Sequence, residues 1–386
     1  MYTTLAIHGY RSLRDLTLRL GQITVVMGAN GAGKSNLYKA MRLLAACGMG
    51  DVAGSLAREG GLDSVLWAGP ESLAGARRGH PVQGTVRSGP ISLRLGIGGD
   101  SLSYLVDLGL PIPGESLFGR DPEIKREAVW IGPVMRHGSL VARRKRGRAE
   151  VRDDGPWQDL DRTLPTHASL LAEPEVPELR LLREELVSWR FYDALRVDAG
   201  SPARRPQVGT RAWALKDDGS DLAAALQTII ERGAEPVQDM VADAFNGARL
   251  TIVNNDGQFD VALHQPGMLR ALRSSELSDG TLRHLMWLAA LLAPSRPPLM
   301  AINEPENSLH PTLLAPLARL LARASLSTQL VVVTHSLTLV EHLSTAMTSQ
   351  NRGDDLELTE LVKDLGETIV QDQGLLSRPV WEWGSR

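Results

Sequence analysis

The 386-residue sequence contains one cysteine, Cys47, which excludes an internal disulfide and a cysteine-built zinc cage. Its place beside Gly48, in or just after a helical pattern, suits a packing role, and such sparse cysteine usage fits a reducing compartment. Net charge is also small. A formal value of -3 gives no global pull towards nucleic acid or anionic lipid, so any DNA contact must come from a local patch. Long apolar runs are missing. The longest, LMWLAALLA at 285–293, is too short to span a bilayer. Arg11, Arg14 and Asp15 interrupt any apolar segment near the start, so we expect no leader, no membrane partner and a cytoplasmic location. No heptad run survives the prolines between 136 and 245, which excludes a long coiled coil there. No internal repeat is present, and the length suggests two or three lobes.

What is there begins at residues 23–35, ITVVMGANGAGKS. The β-branched apolar run predicts a strand, and Leu37, Met41 and Leu44 share one face of a following helix. Strand, glycine-rich loop and helix is the context in which G-x-x-x-x-G-K-[ST] holds phosphate. Gly28, Gly31 and Gly33 permit positive φ and close approach of the backbone, while successive N–H groups and the helix start face the anion. Lys34 would reach the β- and γ-phosphates, and Ser35 would offer its hydroxyl to Mg²⁺. A plain glycine turn before an ordinary helix is the alternative, and the Lys34-Ser35 pair argues against it.

Residues 2–8 and 15–20 predict two short strands joined at Gly9-Tyr10-Arg11-Ser12. Further on, Ile91, Leu93, Leu95 and Ile97, then Leu102, Tyr104, Val106 and Leu108, alternate with other residues around Gly98-Gly99-Asp100. This predicts an antiparallel hairpin with one buried face, and 127–131 a further strand. Residues 136–245, rich in Pro and Gly, read as an inserted helical lobe with helices near 178–190 and 220–232. A second hairpin turns at Asn255-Asp256-Gly257. Residues 281–293 predict a buried helix, and 298–303, 311–324 and 329–334 a βαβ unit. The tail from 356 holds one or two strands and ends in Trp381-Glu382-Trp383. The boundaries drawn are 1–135, an N-terminal lobe with the phosphate loop and antiparallel strands; 136–245, the inserted lobe; and 246–386, a C-terminal lobe.

Three further motifs carry chemistry. LMAINEPE at 299–306 is an apolar strand ending in acids, where a phosphate-loop ATPase needs a carboxylate to hold the metal's water shell or to activate water. Glu304 fits the water-activating role, whereas Asn303 can bond a metal-bound water but brings no charge. VVVTHS at 331–336 sets His335 at the C-terminal edge of a buried strand, where α/β sheets bind ligands; a structural histidine is the alternative. Ser278 and Gly280 in SELSDGT begin the buried helix as an anion site or as a plain N-cap. The basic run Arg143-Arg144-Lys145-Arg146-Gly147-Arg148 reads either as a phosphate-backbone contact or as a solvated loop beside Glu150, Asp153 and Asp154.

In this order GANGAGKS, LSDGT, NEPE, SLHP and VVVTHS resemble ATPases of the ABC class, in detail the RecF- and SMC-like branch with its compact bacterial AAA-type members. The resemblance covers nearly the whole chain. It implies an α/β fold: an ABC-type ATPase head with a P-loop core sheet, an antiparallel β subdomain and an inserted helical lobe. It implies that Gly28, Ala29, Asn30, Gly31, Ala32, Gly33, Lys34, Ser35 and Asn36 bind ATP, with Arg11 and Ser12 of the opening turn nearby. Ser278-Asp279-Gly280 match the signature, Asn303 and Glu304 the Walker B end, Asn307-Ser308-Leu309-His310 the D-loop, and His335 the switch histidine. Lys34, Glu304 and His335 are then the catalytic set, and Ser35 and Asn303 the Mg²⁺ set. Asn303 departs from the usual Asp, and for a glutamine loop Gln83 is the nearest candidate.

The implied activity is Mg²⁺-dependent ATP hydrolysis by a homodimer formed on ATP, in DNA repair, recombination or phage defence. DNA and a separate effector protein are candidate partners. A transporter's nucleotide-binding subunit is an alternative, but Lys34 and Ser278 lie more than twice as far apart as such subunits lead one to expect. A P-loop nuclease of the overcoming-lysogenization type is another, yet only about fifty residues follow His335, too few for the appended domain. An ATPase subunit serving a separate nuclease or toxin stays open. A GTPase is disfavoured, since no N-K-x-D motif follows the loop.

Overall fold

The computed structural model describes every residue except 82–88, 146, 153–154, 161–163, 174, 194, 234–235, 375 and 385–386. Gln83 and Arg146 therefore lie outside the described residues. In chain order the first elements are β1 (Tyr2–Tyr10), β2 (Leu13–Arg19), β3 (Ile23–Met27), α1 (Lys34–Met49), α2 (Val52–Arg58) and α3 (Leu62–Val65). Next come β4 (Leu93–Gly99), β5 (Leu102–Gly109), β6 (Glu123–Ile131), β7 (Leu140–Lys145), β8 (Arg148–Val151), β9 (Gln158–Asp159) and α4 (Pro177–Ser188). Then follow β10 (Arg190–Tyr192), β11 (Gln207–Val208), α5 (Leu222–Arg232), α6 (Val237–Ala244), β12 (Arg249–Asn255), β13 (Gln258–His264), β14 (Leu272–Arg273) and α7 (Asp279–Leu291). The last are β15 (Leu299–Asn303), α8 (Leu314–Ala324), β16 (Gln329–Val333), α9 (Leu337–Ser349), β17 (Leu356–Asp364) and β18 (Glu367–Val370). Two compact units result: Met1–Trp189 with Glu357–Arg386, and Arg190–Leu356.

The first unit is built on an eight-stranded antiparallel sheet in the order β2-β1-β4-β5-β6-β7-β8-β9. The expected hairpin is there, with Leu95 opposite Val106 and Ile97 opposite Tyr104. It was expected to bury one face, but every residue of β5 is buried. On one face α1 lies against β1 and β4. On the other, Leu105, Ala128 and Trp130 are covered by Trp381 and Trp383 of the tail, with Trp381 and Trp130 centroids 5.5 Å apart. Gly96 makes the approach feasible, because a Cβ there would come 2.0 Å from the Trp381 ring. Cys47 is buried in α1, and burial pushes its thiol up, consistent with packing. Glu127 is buried on the α1 side. It accepts from the Tyr104 hydroxyl at 2.5 Å, from the Leu170 N–H at 2.8 Å and from Ser169, and burial raises its pKa.

Arg143, Arg144, Lys145 and Arg148 of the basic run lie in strands: β7 pairs antiparallel with β8, with Arg144 opposite Ala149 and Lys145 opposite Arg148. Arg144 is buried and donates to the carbonyls of Pro165 and Ala168. Arg143 pairs with Glu150 at 2.6 Å and stacks 4.1 Å over Trp157. Arg148 pairs with Asp159. Arg143, Arg144 and Arg148 thus have partners within the protein, and they sit on strands where the sequence suggested a loop. Residues 136–245 hold α4 and α5 close to the predicted helices and also the strands β7 to β9, which the prolines and charges had hidden.

The second unit contains the parallel strands β10, β15 and β16 in that order, with Tyr192 beside Ile302 and Ile302 beside Val332. Apolar, buried β15 and β16 and the crossover helix α8 make the predicted βαβ unit. A smaller antiparallel sheet holds β11, β13 and β12, with β14 on β13. Its predicted turn puts Asp256 at φ 48° and Gly257 at φ 83°, both left-handed as a two-residue hairpin turn requires. Leu282, Leu285, Met286, Trp287 and Leu288 of α7 are all buried, each contributing about 1.5–3 kcal/mol relative to exposure. His284 is buried with them and lies edge-on to Phe245; burial lowers its pKa to about 4.

Candidate functional site

In the first unit β3 delivers the chain into a turn whose glycines stand at φ 148° (Gly28), 81° (Gly31) and 108° (Gly33), after which Lys34 starts α1. A Cβ on Gly28 would sit 2.4 Å from the Leu361 carbonyl, and one on Gly33 would sit 2.2 Å from Thr368 Oγ1. Lys34 is buried, and its ammonium donates to the carbonyls of Gly28 at 2.5 Å and Ala29 at 3.1 Å. Ala29, Asn30, Gly31 and Ser35 are exposed, so the turn presents its backbone and the Ser35 hydroxyl outwards. Exposed turn backbone at a helix start, with a cation held against it, is the chemistry a polyphosphate chain needs.

The turn is held from beneath. Thr368 of β18 donates its hydroxyl to the Ala32 carbonyl at 2.7 Å and shares a 2.7 Å bond with the Ser12 hydroxyl. Ser12 in turn accepts from Asn36 Nδ2 at 2.9 Å. Ser12 is thus a buried support for the loop. Arg11 instead donates to Glu59 at 2.7 Å, alongside the Tyr10 hydroxyl at 2.8 Å. Thr368 was invisible to sequence reasoning, because nothing in an isolated Gly-Glu-Thr marks a contact with a loop so far away in the chain.

In the second unit the end of β15 gathers several groups. Glu304 stands at φ 48° and its N–H donates to the Val333 carbonyl at 2.7 Å. Its carboxylate accepts from Asn307 Nδ2 at 2.6 Å and lies 3.6 Å from His335 Nδ1. Buried Glu306 accepts from the Thr334 hydroxyl and, at 3.1 Å, from the His335 N–H, fastening the end of β15 to the end of β16. The His335 imidazole is half exposed, 3.3 Å from Glu306. Asn303 Nδ2 donates to Asp193 Oδ1 at 2.7 Å.

Ser278 caps α7, accepting from the Thr281 N–H at 3.2 Å. Gly280 faces the 304–310 turn, where a Cβ would come 3.3 Å from the Ser308 carbonyl. Arg283 donates to the Asn307 carbonyl at 2.5 Å, and Trp287 Nε1 to the Pro305 carbonyl at 3.1 Å. Asp279 pairs with Arg204, which also donates to the Leu277 carbonyl at 2.7 Å. Arg270 holds Glu276 down to about 2 through their hydrogen bond. Ser278, Gly280 and Thr281, with Phe245, Gln265 and His310, line a cavity of about 400 Å³. Glu306, Arg204, Arg283 and Asp193 were not singled out from sequence; of these only Glu306, inside the NEPE motif, carried a usable signal.

A family model described as "AAA domain, putative AbiEii toxin, Type IV TA system" matches residues 144–341, just over half of the chain. The chain belongs to this family. No curated protein matches this AAA chain. Among solved structures, the SMC head domain from Thermotoga maritima is 14% identical, with 97% of this chain and 99% of that chain covered at a TM-score of 0.50. An SmcHead bound to the C-winged helix domain of ScpA is also 14% identical, covering 97% and 98% at a TM-score of 0.45. With the phosphate loop and the βαβ unit in place, the AAA chain has the fold of a compact RecF/SMC-like, ABC-type P-loop ATPase. Among the described residues no helix is long and apolar enough to cross a membrane.

Proposed function

We propose that this AAA chain binds ATP with Mg²⁺, hydrolyses it, and pairs with a second copy when ATP is bound. The observation that carries the reading is the 28–35 turn, with left-handed glycines and a buried Lys34 whose ammonium rests on the turn's own carbonyls. In this reading Lys34 neutralises charge on the γ-phosphate while the backbone N–H groups of residues 29–34 cradle the phosphates. Ser35 and Asn303 would hold Mg²⁺; their hydroxyl and amide oxygens suit a hard cation, which supplies further charge neutralisation when bound. Glu304 orients and deprotonates the water, and His335 donates a hydrogen bond to the γ-phosphate. The Glu304–Asn307 bond and the 3.6 Å contact with His335 support these roles by fixing the carboxylate beside the imidazole.

Ser278 and Gly280 start a helix whose first N–H groups need an anion or water. We infer that they grip the γ-phosphate held by the partner copy, in a two-fold interface. ATP then joins the copies, and hydrolysis loosens them. The family's description names a putative AbiEii toxin of a Type IV TA system, which favours a defence role over DNA repair in this reading. The occupied arginines of β7 and β8 give no support to DNA contact there.

Glu304→Gln should bind ATP yet hydrolyse it about 10²-fold or more slowly in single-turnover assays. Near-normal turnover would overturn the assignment of the base. Mixing inactive Lys34→Ala with inactive Ser278→Arg should restore activity, because a mixed dimer keeps one complete site. Mixed dimers without activity would overturn independent shared sites.

A further inference from the structure

Asn303 occupies the end of β15, where a metal-dependent ATPase needs a negative charge, and an amide has none. The neighbouring strand supplies one. β10 runs parallel to β15 with Tyr192 beside Ile302, so Asp193, the first residue past β10, and Asn303, the last of β15, follow that pair at the C-terminal ends of the two strands. Asn303 Nδ2 donates to Asp193 Oδ1 at 2.7 Å.

That bond fixes which way the amide points. With its NH₂ on a carboxylate, its carbonyl oxygen must face elsewhere. This Oδ1 is buried and accepts no hydrogen bond among the described residues. A buried carbonyl without a donor is costly, by about 1–3 kcal/mol, and calls for a donor or a cation. Asp193 is exposed, and its second oxygen has no recorded partner among the described residues. The two strand ends thus offer one neutral oxygen and one carboxylate oxygen. Mg²⁺ is commonly bound by one or two such protein groups together with substrate phosphates and water. The total charge, one negative, equals that of a single Asp at position 303.

We propose that Asp193 carries the metal-directed charge of this site, with Asn303 orienting it and adding its own oxygen towards the Mg²⁺ of Mg·ATP. This rests on the ATP-binding reading above. Two carboxylates side by side would repel without a metal, which gives the neutral Asn303 a physical reason once Asp193 is its neighbour.

The test is ATP affinity by calorimetry, in Mg²⁺ and in EDTA. Wild type should bind more tightly with Mg²⁺. Asp193→Asn should lose about 10–100-fold of that gain while binding in EDTA stays unchanged. The exchange variant Asp193→Asn with Asn303→Asp should recover most of it, since the charge returns on the other strand. An undiminished Mg²⁺ gain in Asp193→Asn, or no recovery in the exchange variant, would overturn the proposal and leave ATP binding standing. A wild-type protein that binds ATP with no Mg²⁺ gain would do the same. A wild-type protein that binds no ATP would overturn both readings.

Discussion

The turn at residues 28–34 places its left-handed backbone on Gly28, Gly31 and Gly33, whereas the turn at 303–310 places it on Glu304, at φ 48°, and Ser308, at φ 61°. A side chain in that region costs about 1–2 kcal/mol, and glycine avoids the cost. The phosphate loop needs backbone N–H groups, so glycine serves it fully. The second turn carries a carboxylate at 304, which in the proposed function activates water and which glycine cannot provide. On that reading, strain at Glu304 accompanies the one side chain the turn has to present. The surroundings hold it there: its N–H on Val333, its carboxylate on Asn307, and the following turn on Arg283. The supports differ as well. Those of the second turn lie within about thirty residues along the chain, while the phosphate loop rests on Ser12 and Thr368 from opposite ends of its unit.

The largest expected effect comes from forcing a side chain into the glycine turn. Gly33→Ala combines a left-handed φ of 108° with a Cβ 2.2 Å from Thr368 Oγ1 and 3.0 Å from Ser12 Oγ. Strain and overpacking together should cost about 3 kcal/mol or more. Denaturant unfolding should show that loss, and ATP binding should fall below detection. Gly31→Ala at φ 81°, with nothing near its Cβ, should cost only about 1 kcal/mol. Equal costs at the two positions would break the steric account of the loop.

That contrast also marks what the sequence made legible. Glycines declare a left-handed turn by residue type, so the phosphate loop and the Asp256-Gly257 hairpin were readable, as were β15 and β16 by their apolar runs. Glu304 and Ser308 declare nothing, since their residue types favour other conformations. The β7–β8 strands stayed hidden because a buried Arg144 is an unusual core residue. The second buried face of β5 stayed hidden because Trp381 and Trp383 reach it from the far end of the chain. Local backbone chemistry is written in neighbouring residues; long-range cover and side-chain pairing are not.

Thr368→Val tests the distant support at intermediate cost. It keeps the shape but leaves the Ala32 carbonyl and the Ser12 hydroxyl without their buried partner. We expect a loss of about 2 kcal/mol of stability and a roughly tenfold weaker ATP affinity. Thr368→Ser, which retains the hydroxyl, should recover most of the affinity. Unchanged ATP affinity in Thr368→Val would mean that the loop holds its own shape, and the contrast in supports would disappear.

The smallest effect bears on the strained turn itself. Glu304→Ala and Glu304→Gly both remove the carboxylate, so both lose its bond to Asn307 and its place beside His335. Any difference in their stability isolates the backbone. Alanine retains the Cβ that makes φ 48° unfavourable and glycine does not, so the folded state favours glycine by about 1–2 kcal/mol. The greater freedom of glycine in the unfolded chain offsets part of this, by about 0.5–1 kcal/mol. The net expectation is that Glu304→Gly unfolds at a higher denaturant concentration than Glu304→Ala, by about 0.5–1 kcal/mol. Both should be inactive as ATPases if Glu304 is the base. A glycine variant no more stable than the alanine variant would mean that the turn relaxes once the carboxylate is gone, and that the Asn307 bond, not the 304–310 backbone, enforces the left-handed conformation.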